Sequence, residues 1–159
     1  MVIYEQKNER NYDKIGGLLI VAAFALITTP LRIVALLSKS SSAETWHKLT
    51  SPDSELYHPW YRPLLIGEIV SNSIMLLFSI VLIVMLFQKY KYFPKLVITF
   101  LVLNITFGIA NSSAIAIIND RVDFNLLPIP SAIVSILWII YFLTSERVKQ
   151  TFKHEKRSL

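Results

Sequence analysis

Two ionisable side chains, Arg32 and Glu68, stand inside otherwise apolar stretches of this 159-residue sequence. A charge at the centre of a bilayer costs roughly 2.5–3.5 kcal/mol, so each asks for a partner or for water. Polar residues recur beside them at helical spacing. Glu68, Asn72, Met75 and Ser79 follow one another at steps of three or four and share one helix face, and Asn104, Gly108, Asn111 and Ser112 share another. Pooled with Ser131 and Ser135, they form an expected polar cavity in the outer half of a membrane domain, with Arg32, Glu68, Asn72, Asn111 and Ser112 as its candidate site. Three kinds of chemistry fit. Arg32 and Glu68 either form a structural ion pair that fixes helix register, or handle a ligand or a proton, or Arg32 simply snorkels outward. The Asn and Ser groups, with a close-packed Gly108, equally suit hydrogen bonding that glues helices together.

A second polar set lies in the segment 38–63, where His47, His58, Asp53 and Glu55 supply the ingredients of metal binding or acid–base catalysis. Their spacing matches no metal signature, and the carboxylates have no nucleophile beside them. The sequence contains no cysteine, no HExxH, no GxGxxG and no GxxxxGK[ST], so thiol, zinc-protease and nucleotide chemistry have no support. No catalytic residue, metal or cofactor is expected, and the protein reads as a non-enzyme. Tyr57, His58, Trp60 and Tyr61 are the candidate external-loop binding residues, their aromatic rings suited to the headgroup belt.

These groups must be positioned by a chain that is 53% hydrophobic and only 17% charged, with a mean hydropathy of +0.50. A soluble domain of that composition would expose large apolar patches. A hydrocarbon layer about 30 Å thick needs about 20 apolar residues at about 1.5 Å rise each. Four runs qualify, at 15–37, 64–87, 96–118 and 126–143. The expectation is an all-α, polytopic four-helix bundle forming a single transmembrane domain over 1–159, with an external loop at 38–63 and a basic tail at 144–159. The first run is too long for a signal-peptide core and is retained. Measured from the run ends, Arg32 and Glu68 lie at one depth on antiparallel neighbours and are expected to meet. Pro30 predicts a kink, whereas Pro128 and Pro130 mark a late helix start.

Cations set orientation. Eleven lysines and arginines fall in the two tails and the middle turn, against four in the other two connections (Lys39, Lys48, Arg62 and Arg121). Both termini are therefore expected in the cytoplasm. Net basicity of +5 then reads as topology, and nucleic acid is not an expected partner. In the tail, Val148 and Phe152 share a helical face expected to lie on the inner membrane surface.

The sequence resembles the bacterial membrane-protein family known as domain of unknown function 2569. The likeness rests on Gly16-Gly17-Leu18-Leu19, Pro30-Leu31-Arg32, Tyr57-His58-Pro59 with Pro63, Glu68 and Asn72, and Phe93-Pro94. Trp138 to Phe142, then Ser145, Arg147-Val148-Lys149 and Thr151-Phe152, carry its closing signature. The resemblance implies a four-helix bacterial inner-membrane protein and no biochemical reaction. Together these readings point to a bundle binding a partner protein, lipid or small ligand on its external side, in contact with membrane lipids and open to homo-oligomers. The alternative is a small oligomeric transporter using the Arg32/Glu68 pair.

Overall fold

Every long apolar run becomes a helix, because a chain without water can satisfy its backbone only internally. The structure, a computed structural model, describes residues 16–119 and 128–152. Among these residues lie six helices and no strand: α1 (Leu18–Ser40), α2 (Ala43–Thr50), α3 (Tyr61–Phe87), α4 (Phe93–Ile118), α5 (Ile129–Thr144) and α6 (Glu146–Thr151). Helices α1, α3 and α4 are each long and apolar enough to cross a membrane; α5, also apolar, has 16 residues. The fold is consistent with a multi-pass membrane protein. Large side chains such as Phe24, Leu31, Leu77 and Ile117 point outward, as a lipid-facing surface requires.

Packing follows from two repeats. The buried residues of α1 are Leu19, Leu26, Ile33 and Ser40, one every seven. Those of α3 include Met75, Ser79, Leu82 and Leu86, at alternating steps of four and three. These are the spacings of two antiparallel helices meshing side chains along one seam. A hydrogen bond from Ser40 to Glu68 fixes the register, and counting back from it sets Ile33 level with Met75 and Leu26 level with Leu82. Helix α3 then packs on α4, and α4 on α5. On α4 the inward residues Phe93, Val97 and Phe100 are buried, and with Phe142 they close the core at one end of the assembly.

That Phe93 end also holds α6. Ser145 caps α6 by accepting from the Val148 N–H, and Val148, Thr151 and Phe152 are all buried. Phe152 stacks on Phe93 with ring centroids 4.7 Å apart. This corrects the expectation of a membrane-surface face, since the apolar side of the tail is covered by the protein's own core. The Arg147 guanidinium lies against Gly16 and Gly17 at the start of α1, where a Cβ on Gly16 would stand 2.6 Å from Nη2. The starts of α1 and α4, the end of α3, and α6 therefore share one end. Its α3–α4 turn is closed by a bond from the Tyr90 N–H to the Met85 carbonyl, with Lys89 at φ 51.

Other expectations shift by a turn. Helix α1 runs past 37 to Ser40, and α3 and α4 begin at Tyr61 and Phe93 rather than at 64 and 96. The segment between α1 and α3 is no plain loop, for it contains α2, capped by Ser42 and supported by a Glu44–Lys48 bridge of 2.6 Å. Pro30 is accommodated inside α1, where the Thr28 and Thr29 hydroxyls both donate to the Ala25 carbonyl. As expected, Pro128 and Pro130 open α5. Leu126 and Leu127, Arg121, and the cations Lys7, Arg10, Lys14, Lys153, Lys156 and Arg157 lie outside the described residues.

Candidate functional site

Away from the Phe93 end, the inward stripe of α4 changes character. Phe93, Val97 and Phe100 give way on the same face to Asn104, Gly108 and Asn111, and on α3 Leu82 and Met75 give way to Asn72 and Glu68. Small and polar side chains do not fill the space that aromatics fill below. The result is a cavity of about 470 Å³, lined by Arg32 of α1, Glu68 and Asn72 of α3, Asn104 and Asn111 of α4, and Ser131 of α5. Gly108 builds its rim: a Cβ there would stand 3.2 Å from Pro128 Cγ, so the glycine is what lets the start of α5 come against α4.

The structure thus brings Arg32, Glu68, Asn72 and Asn111 to one cavity and does not bring Ser112 there. Ser112 and Ser135 are buried between helices and take no part in the lining. Asn104 and Ser131 line it as expected, and Ser40, outside the lining, holds Glu68 from α1. Ser40 was masked in the sequence by its position in a Ser-rich stretch, although the seven-residue repeat from Leu19 leads straight to it.

Arg32 and Glu68 do not form the expected ion pair; no contact within 4.0 Å joins them among the described residues. The reason is register. Ser40 donates to Glu68 Oε1 at 2.7 Å, so Glu68 is level with Ser40, and Arg32 lies eight residues, or about 12 Å, further along α1. Arg32 is also one residue round the helix from the seam residue Ile33, which turns it out of the α1–α3 contact and onto the cavity. No acceptor among the described residues reaches its guanidinium. Nor do Asn72, Asn104 and Asn111 have side-chain hydrogen-bond partners there, so their amides are not glue between helices.

The aromatic set beside α3 divides. The Tyr61 hydroxyl donates to Asn119 Oδ1 at 2.7 Å, tying the start of α3 to the end of α4. His58 Nδ1 accepts from the Trp60 N–H, and His58 meets Tyr61 edge to face. His58 and Trp60 border a second, mainly apolar hollow of about 510 Å³ against Leu64 and Ile117, while Tyr57 stays exposed outside it. His47 Nε2 is 3.6 Å from Asp53 Oδ2 on the open surface. Among the described residues no group of three His, Cys, Asp or Glu side chains could hold a metal ion.

Fold and site together define a helical protein of membrane type with a polar, partly charged cavity near one end of its helices. The chain belongs to the family described as Protein of unknown function (DUF2569), which it matches over residues 12–153. No curated protein and no solved structure matches it.

Proposed function

We propose that this is a non-enzymatic, four-span protein of a bacterial inner membrane, with both termini and the α3–α4 turn in the cytoplasm, that binds a ligand in a cavity facing outward. Helix α5 completes the fourth crossing. The orientation rests on the eleven cations of the tails and middle turn against four on the other side. The binding reading rests on one observation: the guanidinium of Arg32 and three asparagine amides line a cavity of about 470 Å³ without partners among the described residues. Ligand pockets commonly span about 300–1,000 Å³ with a few convergent polar groups. Groups of this kind in a membrane domain need water or a ligand to satisfy them.

Single cysteines at positions 72 and 111 test it, because the chain has no thiol of its own. A membrane-impermeant thiol reagent added outside intact cells labels both if the cavity opens outward. Complete protection of both overturns the reading. An oligomeric carrier is the second reading, favoured by the presence of Arg32 and Glu68 on one cavity. It requires the Met75–Phe100–Phe142 core to open in turn, and flux in proteoliposomes that Glu68→Gln abolishes.

A further inference from the structure

The two charges of the cavity are held apart, and that separation specifies what can neutralise them. Glu68 is tied to Ser40 through Oε1, while Oε2 receives no donor from the described residues. Arg32 lies about two turns deeper along α1, with no carboxylate beside it. Neither charge compensates the other, and both line an open cavity flanked by apolar helices, Glu68 half-buried and Arg32 exposed on the α1 surface, where an isolated charge at membrane depth is expensive. A simple anion would satisfy Arg32 and leave Glu68; a simple cation would do the reverse. One molecule carrying both charges satisfies both.

Resting on the outward-cavity reading above, we propose that the ligand is a zwitterion bearing an oxyacid anion and a primary ammonium. Its anion, a phosphate or carboxylate, sits deeper on the Arg32 guanidinium, a planar fork of donors matched to such oxygens. Its ammonium sits nearer the mouth on Glu68 Oε2. The Asn72, Asn104 and Asn111 side chains supply both donors and acceptors between the two charges. A primary rather than quaternary ammonium follows, since its N–H groups can use those amide oxygens and a methylated nitrogen cannot. Two sources share this chemistry: a phosphoethanolamine lipid headgroup and a free water-soluble zwitterion.

Calorimetric titration of the full-length protein in detergent, with three probes, tests the assignment. Glycerophosphoethanolamine carries both charges, glycerol 3-phosphate only the anion, and ethanolamine only the ammonium. The zwitterion is expected to bind at least tenfold more tightly than either fragment. Arg32→Gln lowers it to the level of ethanolamine, and Glu68→Gln, whose amide oxygen still accepts from Ser40, lowers it to that of glycerol phosphate. In a parallel arm, the protein in nanodiscs of mixed phosphatidylethanolamine and phosphatidylglycerol is analysed for retained lipid by native mass spectrometry. Selective retention of the ethanolamine lipid, lost in both variants, assigns the lipid source and supports the proposal even if the soluble probe binds weakly; soluble binding alone assigns the free source. A fragment that binds as tightly as the zwitterion, a preference indifferent to both variants, or no binding in either arm overturns the proposal. If cysteines at 72 and 111 are nevertheless labelled, only the zwitterion assignment fails. If they are protected, the outward cavity fails with it.

Discussion

Ser40 Oγ donates to Glu68 Oε1 across 2.7 Å, and this bond, rather than a contact with Arg32, holds the one carboxylate of α3 in place. Its energetic signature separates the two partners. Ser40→Ala should cost about 1–2 kcal/mol, because it leaves a half-buried carboxylate short of a donor. The coupling between Ser40 and Glu68 in a double-mutant cycle should reach about 1 kcal/mol, and that between Arg32 and Glu68 should stay below about 0.5 kcal/mol. Denaturant titrations of the purified protein read both; a large Arg32–Glu68 coupling would contradict the register.

Phe152 is 3% exposed and stacked on Phe93, so Phe152→Ala should destabilise the protein by about 3–4 kcal/mol through loss of contacts and an unfilled space. The same variant should free α6 and speed tryptic cleavage at Arg147 and Lys149. Because the ring is covered by protein, the loss should be the same in neutral and anionic lipid. A membrane-anchoring Phe152 would show a strong dependence on lipid charge.

The contrast between these two sites shows what the sequence makes legible. The apolar runs announce their helices by length alone, and the Val148–Phe152 face is visible from its spacing of four. What covers that face is not, since Phe93 is distant in sequence and brought there only by the packing of α3 on α4. Depth along a helix is equally nonlocal. Measuring from the ends of the apolar runs puts Arg32 beside Glu68 because it takes those ends as level, whereas Ser40 at the end of α1 bonds Glu68 seven residues into α3, so α3 projects about 10 Å beyond α1. The chemistry of the cavity was readable residue by residue, but that its amides stay unpaired is a property of the assembled helices. Helix α2 had a signal that composition concealed: Ser42 before Glu44, and Lys48 four residues on.

Gly16 and Gly17 should differ sharply on substitution, although both touch Arg147. Gly17 sits at φ 59 and ψ −141, a conformation nearly closed to other residues, so Gly17→Ala should cost about 2 kcal/mol whatever stands at 147. Gly16→Ala meets the tip of a flexible side chain, which can swing away. Its smaller cost should vanish in an Arg147→Ala background. Thermal unfolding of the three single variants and of each glycine variant combined with Arg147→Ala distinguishes a backbone requirement from a steric one.

Acid should loosen α2 before the rest of the fold. A hydrogen bond and charge attraction from Lys48 hold the Glu44 carboxyl below the usual carboxylate range. Its folded pKa is thus lower than its unfolded one, so its contribution is present at neutral pH and fades as pH falls through that lowered value. Amide protection factors across 43–50, which correct for the intrinsic pH dependence of exchange, should fall on acidification below the usual carboxylate range, and Lys48→Met should flatten that dependence.

Gly108 offers a way to close the cavity without disturbing its charges. Gly108→Ala presses a methyl within 3.2 Å of Pro128 Cγ and should shift α5 by a few tenths of an ångström, at a cost under about 1 kcal/mol. Gly108→Leu adds a branched side chain that the contact with Pro128 cannot house, and the open side of the residue is the cavity itself. The leucine should fold into that space, exclude water from Asn72 and Asn111, and slow thiol labelling at both positions at least tenfold, with little change in thermal stability. Binding of any cavity ligand should fall in parallel although Arg32 and Glu68 are intact. Labelling that stays fast in Gly108→Leu would place the water-accessible surface elsewhere, whereas lost labelling with retained binding would separate the ligand from this cavity.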